Sequence, residues 1–499
     1  MRRRALLTSL AASVAGVAGC SFGVGETDEL PSITPADRPT PDPSNTDSPA
    51  TATNADGDPP RPETLTRVIT LETGPRTYAL DSWIHAPEGG QIALWFDRTA
   101  TPSHPARLRG WFQNGTDAER TFTLGEVPMV GQIHGRPPGD HGDDDALHLA
   151  PTRNNDLARR VPAVVRADSG YWRADEMGPW MARTARLGPG EWARLEYVLV
   201  GSPGMRGRPT GTYQFGGDTH INVWDSNSPG PSVNSRFAGR SVPTFPSGGQ
   251  VQWYHEAGPG TAAFVRPSTE RLELNGRVDF EMVNHSRETL QCGHWSLYKL
   301  VDGEWYYVAP RTHTDDCRGL PPGGTKQWSL RASRGEPVAC GEDCSDGGLS
   351  QGYLGGGEYA AVAGYGHPVP QSGALVELIG DSVAVEPTDD AIAHRDGGTV
   401  TVTTDEFDDG RHPPDGTVTL ERTGTAAERL IAEQVMAGTG AGAGRGLRNT
   451  LPFLTAETDR VLLRTDAHVV DNAVGYDERH RRFTFRGEAY VVSRGPSEA

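Results

Sequence analysis

Short runs of alternating or β-branched residues, separated by turn-forming residues, recur along the chain from about residue 63 onward. Examples are RVITLET, QIALWF, RLRGWF, ARLEYVLV and INVWD. A period of two is typical of strands that bury one face, and Gly, Pro, Asn and Asp separate such strands. The 62 glycines and 39 prolines supply many turns and count against long helices. The pattern predicts a mainly β protein.

The charge of the chain is strongly acidic and unevenly composed. Lys and Arg total 47 against 65 Asp and Glu, which gives a formal net charge of -18. Binding to nucleic-acid phosphates would have to overcome this repulsion, so we expect no nucleic-acid partner. Lys299 and Lys326 are the only lysines. This composition resembles that of proteins from salt-loving archaea, where salt screens self-repulsion, although GC-rich codon usage also favours Arg over Lys.

The first 20 residues have the layout of an export signal, with basic residues before a short, weakly apolar segment. Arg3 and Arg4 before Ala-Leu-Leu resemble the twin-arginine export motif, and residues 16–20, GVAGC, resemble a lipobox. The resemblance to twin-arginine-exported lipoproteins implies cleavage before Cys20 and a lipid on its sulfur. We therefore expect the protein at the extracytoplasmic face of the cell membrane, with the lipid as its membrane contact.

Residues 21–62 consist mainly of Pro, Thr, Ser, Asp and Ala and contain few large apolar residues. Such a segment cannot form a core, so we expect a disordered stalk. The folded part then begins near residue 63.

Two stretches repeat the same order of motifs, which predicts two related modules at 63–245 and 246–385. Each has a strand that ends in an Asn sequon, then a Leu-x-Pro-Gly turn, then a Gly-x-Tyr strand. The motifs of the first stretch are Asn114-Gly115-Thr116, Leu187-Gly188-Pro189-Gly190 and Gly211-Thr212-Tyr213. Those of the second are Asn284-His285-Ser286, Leu320-Pro321-Pro322-Gly323 and Gly357-Glu358-Tyr359.

Residues 295–308, WSLYKLVDGEWYYV, predict a β-hairpin with a turn at Val-Asp-Gly. This hairpin is similar to one that recurs in the immunoglobulin-like domains of prokaryotic exported lipoproteins, and the resemblance covers about residues 270–370. It implies immunoglobulin-like β-sandwich modules and carries over no catalytic residues.

The character of the sequence changes beyond residue 385. Two strand-like runs precede Thr425 and Glu428, a possible capping box for a helix through Leu430, Ile431 and Val435. More strands follow, so we expect a small α+β domain over 386–499.

Cysteines and sequons suggest covalent modifications. Four cysteines fall in the second module: Cys292, Cys317, Cys340 and Cys344. In an exported protein they favour two disulfides with three possible pairings, whereas a zinc site would normally show two closely spaced pairs. Asn114 and Asn284 are glycan acceptors by sequence, or simply turn residues.

One segment of the first module is rich in imidazoles and carboxylates: His134, His141, Asp143, Asp144, Asp145 and His148. These residue types suit calcium or zinc if the segment folds back on itself, and they equally suit a solvated acidic loop. No other cofactor is indicated. Nearby, Tyr171, Trp172 and Trp180 could form an exposed binding platform or part of the core.

These features favour a non-enzymatic cell-surface lipoprotein that serves in binding, adhesion or envelope structure, with an envelope or transporter protein as partner. The alternatives are an extracellular metal-assisted hydrolase that uses the His134 to His148 segment, and a solute-capture subunit of an importer. The latter would require large α/β lobes, which the strand-rich pattern disfavours.

Overall fold

Strands dominate the computed structural model of the chain, which confirms the predicted mainly β class. The structure describes residues 50–51, 59–60, 65–139, 141–245, 249–310, 318–338, 348–407, 413–436 and 444–495. The export signal, Cys20 and most of the predicted stalk lie outside these residues. The prediction of a disordered stalk through residue 62 is wrong at Ala50–Thr51, because this pair forms a short strand that joins a sheet of the folded part. Pro49–Ala499 form one compact unit. No helix in the described ranges combines the length and apolar character needed to cross a membrane.

The described residues between 50 and 245 form three sheets around one apolar core, which runs from Ile69 to Val223. Its strands are β1 Ala50–Thr51, β2 Val68–Thr70, β3 Arg76–Leu80, β4 Trp83–His85, β5 Gly90–Arg98, β6 Arg107–Asn114, β7 Arg120–Thr123, β8 His134–Gly135, β9 Leu147–Pro151, β10 Val164–Arg166, β11 Trp172–Ala174, β12 Thr184–Leu187, β13 Trp192–Gly201, β14 Gly211–Gln214 and β15 His220–Asp225. The largest sheet has the order β10-β11-β13-β6-β5-β4, with β9 on β13 and β8 on β9. The others are β14-β15-β3-β2 and β1-β12-β7.

The next part of the chain is a sandwich of two sheets that share a second core. Its strands are β16 Val251–Trp253, β17 Ala263–Pro267, β18 Arg271–Glu273, β19 Gly276–Asn284, β20 Ser296–Val301, β21 Glu304–Ala309, β22 Thr325–Ala332, β23 Leu349–Gln351, β24 Gly357–Ala363 and β25 Gln371–Ile379. One sheet has the order β17-β19-β22-β23, and the other β16-β25-β24-β20-β21 with β18 on β25. The predicted hairpin is confirmed as β20 and β21, whose turn places Asp302 and Gly303 at positive φ.

The last part of the chain is one seven-stranded sheet with three short helices. Its strands are β26 Ala391–Asp396, β27 Thr399–Thr404, β28 Gly416–Arg422, β29 Glu428–Arg429, β30 Arg460–Thr465, β31 His480–Phe485 and β32 Glu488–Arg494, in the order β26-β27-β30-β28-β32-β31-β29. The helices are α1 Ala432–Met436, α2 Arg445–Arg448 and α3 Ala467–Val474, and α3 packs on the third core. Single 3-10 turns lie at Pro87–Gly89, Leu124–Glu126, Asp143–Asp145, Tyr254–Glu256, Asp405–Phe407 and Leu451–Phe453.

The prediction of a helix that begins at the Thr425 capping box is wrong. Glu428 is part of β29, which pairs in parallel with β31, and the carboxylate of Glu428 binds Arg481. The helix begins only at Ala432. Pairing with a neighbouring strand satisfies the backbone groups that a capping box would otherwise serve, so tertiary contacts override the local signal.

Polar contacts lock these parts of the chain together. Between the first two, Trp224 stacks on His285 with ring centroids 5.4 Å apart, and the Arg287 guanidinium donates to the Val68 carbonyl at 3.1 Å. Between the last two, Lys299 forms a buried ion pair with Glu433. Buried charges that pair across a boundary resist separation, because either partner alone would be a desolvated charge.

Candidate functional site

Two of the candidate metal ligands, His134 and His148, face each other across the short β8–β9 pair. Their Nδ1 atoms are 2.9 Å apart, and Nε2 of His148 lies 2.8 Å from Oγ of Ser202. Ser202 in turn donates to the carbonyl of Asp143 at 2.8 Å. The indole of Trp180 packs against both imidazoles, with centroids 5.6 and 6.1 Å away. The result is one continuous hydrogen-bond chain that ends at the acidic turn.

The direction of this chain follows from its last bond. Because Ser202 donates its only proton to a carbonyl, its oxygen must accept from Nε2–H of His148. Nδ1 of His148 is then an acceptor, and His134 donates from Nδ1–H. Burial, reinforced by the nearby charges of His134 and Arg208, lowers the pKa of His148 to about 3. A neutral His148 that donates to Ser202 cannot take the serine proton, so this arrangement is unsuited to activating a nucleophile.

The remaining candidate ligands are arranged separately. His141 lies 3.6 Å from Asp145, and both are partly exposed at the 3-10 turn of Asp143–Asp145. Within the described ranges, no three His, Cys, Asp or Glu side chains converge as a metal ion would require. The structure therefore brings His134 to His148 and His141 to Asp145, but it does not join the two pairs. The histidine chain anchors the backbone of the acidic turn.

Asn114 and Asn284 are fully buried, and each organises its turn through five hydrogen bonds. The carbonyls that accept from Asn114 Nδ2 are those of Ala118, Leu187 and Gly188, at 2.8, 3.0 and 3.0 Å. Those that accept from Asn284 Nδ2 are Glu288, Leu320 and Pro321, at 2.9, 2.9 and 3.0 Å. Each Oδ1 accepts from the backbone N–H and the hydroxyl of the residue two positions on. Because each amide nitrogen is enclosed and fully used, the geometry favours the turn-residue alternative over the glycan acceptor for both residues.

The Gly-x-Tyr motifs also have matching geometry. The hydroxyl of Tyr213 donates to the carbonyl of Pro209 at 2.9 Å, and that of Tyr359 donates to Gly355 at 2.8 Å. Both phenols are buried and both bonds reach back four residues. Together with the two Asn-centred turns, these contacts give the two stretches the same local construction.

The aromatic segment belongs to the core rather than to an exposed platform. Trp180 is 1% exposed and Tyr171 is 8% exposed, and both belong to the first apolar core. Trp172 is partly buried, and its indole N–H donates to the Thr101 carbonyl at 3.0 Å.

Cys292 is disulfide-bonded. Cys317, Cys340 and Cys344 lie outside the described residues, so the pairing stays a prediction. Sequence reasoning missed Ser202 and Arg208, because both fall in the turn-like run GSPGMRGRP, where nothing marks them as buried.

No family model and no curated protein matches this sequence. Among solved structures, the chain is similar to one described as a polysaccharide lyase, at 10% identity and a TM-score of 0.14. The match covers 63% of this chain and 36% of that one, so the chain spans about a third of that structure's length. A likeness this weak supports no inference about activity.

Proposed function

We propose that the chain is a non-enzymatic, lipid-anchored lipoprotein of the outer cell surface that binds an envelope or transporter protein. In this proposal the lipid at Cys20 and the stalk between Cys20 and β1 carry two immunoglobulin-like modules and a small C-terminal domain outward. The observation that carries it is the repeated construction around Asn114 and Asn284. These two buried polar side chains, which could be taken for parts of a reactive site, instead fix the turns of a rigid framework.

Three further features support the proposal. The β17-β19-β22 and β25-β24-β20-β21 sheets share one core, as in immunoglobulin-like sandwiches. The phenols of Tyr213 and Tyr359 bind backbone carbonyls upstream, as in the tyrosine corner of that fold. A rigid sandwich presents loops at its ends, and such loops commonly carry binding surfaces.

The partner is best sought by crosslinking in living cells at native salt. Amine reagents are unsuitable, because Lys299 is buried and Lys326 is the only other lysine. A carboxylate-reactive dihydrazide crosslinker suits the 65 acidic residues far better. One recurrent envelope or transporter protein, recovered with the wild type and lost with the released Cys20→Ser variant, is the expected result. Recovery of the same background proteins from both would overturn the binding proposal.

A further inference from the structure

A small cavity in the first module has an unusual lining. It has space for about one water-sized sphere, about 10 Å³, and lies beside the loop after β13. Its lining residues are Leu71, Thr73, Tyr78, Ala100, Ala106, Tyr171, Trp172, Leu199 and Arg208. A guanidinium, a hydroxyl and two phenols thus meet in an otherwise apolar wall.

Arg208 is 3% exposed, and its guanidinium interacts with the phenols of Tyr78 and Tyr213. One terminal nitrogen donates to the Ala146 carbonyl at 3.3 Å, and the other contacts the sulfur of Met205 at 3.1 Å. Its Nε has no hydrogen-bond partner, and neither has Oγ1 of Thr73 across the cavity. Buried polar atoms almost always have partners, so two such orphans around one cavity indicate a missing one.

The charge of Arg208 is also unbalanced. In the described part of the chain no carboxylate forms an ion pair with it, and the nearby Asp225 already pairs with Arg76 at 2.9 Å. The phenols do not supply the missing charge. Burial raises the pKa of Tyr78 despite the opposing effect of Arg208, and burial likewise raises the pKa of Tyr171. Arg76 therefore has a carboxylate partner, whereas Arg208 forms no ion pair within the described residues.

We propose that the cavity binds one monatomic anion of the halide class, chloride in ordinary media. Nε–H of Arg208 and the hydroxyl of Thr73 donate to the ion, and the neutral phenols of Tyr78 and Tyr171 border it. Water would satisfy the two orphan atoms but would leave the buried charge uncompensated, which is costly in an apolar interior. A polyatomic anion such as sulfate is far too large for this space, and chloride, which is somewhat larger than a water molecule, fits once the lining side chains move slightly outward.

Chloride dependence of thermal unfolding tests the proposal. The purified full-length protein is melted while potassium chloride replaces potassium methanesulfonate at constant ionic strength. An ion that binds only the folded state raises the melting temperature by about 2 °C for each tenfold increase in its concentration above the dissociation constant. We expect this rise in melting temperature with chloride in the wild type, a smaller rise in Thr73→Val and no rise in Arg208→Met.

Arg186→Met is the matched control, because Arg186 is an exposed arginine whose side chain is 58% exposed and paired with Glu119. It should keep the wild-type chloride increment. Crystals grown in bromide should in addition show an anomalous peak beside Nε of Arg208. If Arg208→Met does not fold, the melting temperatures of Thr73→Val and the bromide peak still test the proposal. Equal increments in the wild type and Thr73→Val, or a cavity without a bromide peak, would overturn the proposal in favour of a bound water.

Discussion

Replacing Asn284 by Ala removes the centre of the second module's turn. Three carbonyls lose the Nδ2 donor, and the backbone N–H and hydroxyl of Ser286 lose Oδ1 as acceptor. A hydrogen bond contributes about 1 kcal/mol net, and groups left buried without a partner cost more. Water that enters the space will satisfy part of the set. We therefore expect the free energy of unfolding to fall by about 3–5 kcal/mol, at the upper end for single substitutions.

Urea unfolding of the full-length protein, followed by tryptophan fluorescence, measures this loss. Each transition is fitted separately, because a chain with several cores need not unfold in one step. Asn234→Ala is the control, since Asn234 is exposed and the change should stay within about 0.5 kcal/mol. A loss below about 1 kcal/mol for Asn284→Ala would refute the role assigned to this residue.

Three other substitutions test further contacts, two of them in the one buried cluster of Lys299, Glu433 and Tyr359. Lys299→Met should cost about 3–5 kcal/mol in urea unfolding, because Glu433 is left as a buried unpaired charge, and adding Glu433→Leu should recover most of it. Tyr359→Phe should cost about 1–2 kcal/mol by the same assay, because the hydroxyl loses its bonds to Gly355 and Glu433, and no measurable loss would argue against these two bonds. The pKa of His148 is lowered by burial from 6.5 to about 3, so between these pH values the unfolded chain binds a proton that the folded chain does not. Wild-type stability should therefore fall as the pH drops through this window, by at most about 1.4 kcal/mol per pH unit, and His148→Gln should flatten the profile.

The order of motifs predicted two related modules, and the structure gives the repeated motifs the same hydrogen bonds. The sequence left two alternatives open at Asn114 and Asn284, because Asn-x-Ser/Thr describes both a glycan acceptor and a turn in which the Asn side chain accepts from the Ser or Thr hydroxyl. Repetition of the sequon followed, in the same order in both stretches, by a Leu-x-Pro-Gly turn was the available signal for a structural role. One sequence could not show that the carbonyls of distant turns converge on the amide.

The histidine cluster shows the limit of spacing arguments. His134 and His148 are 14 positions apart, and strand register places them opposite each other. Strand β9 also pairs with β13, and Ser202, which directly follows β13, bonds to His148. The carboxylates nearby in sequence suit a metal or a solvated loop, and in the structure only His141 lies beside one of them, whereas His134 and His148 pair with each other. The local composition of this segment therefore identified the candidate ligands but could not show which of them lie close together.

Cell fractionation tests the central claim most directly, namely that Cys20 tethers the folded modules outside the cell. The wild type should sediment with membranes and be digested when protease is added to intact cells. Cys20→Ser should appear in the medium, while replacement of Arg3 and Arg4 by Lys should retain uncleaved protein inside. A Cys20→Ser protein that stays with the membranes, or a wild type protected from protease in intact cells, would contradict the account.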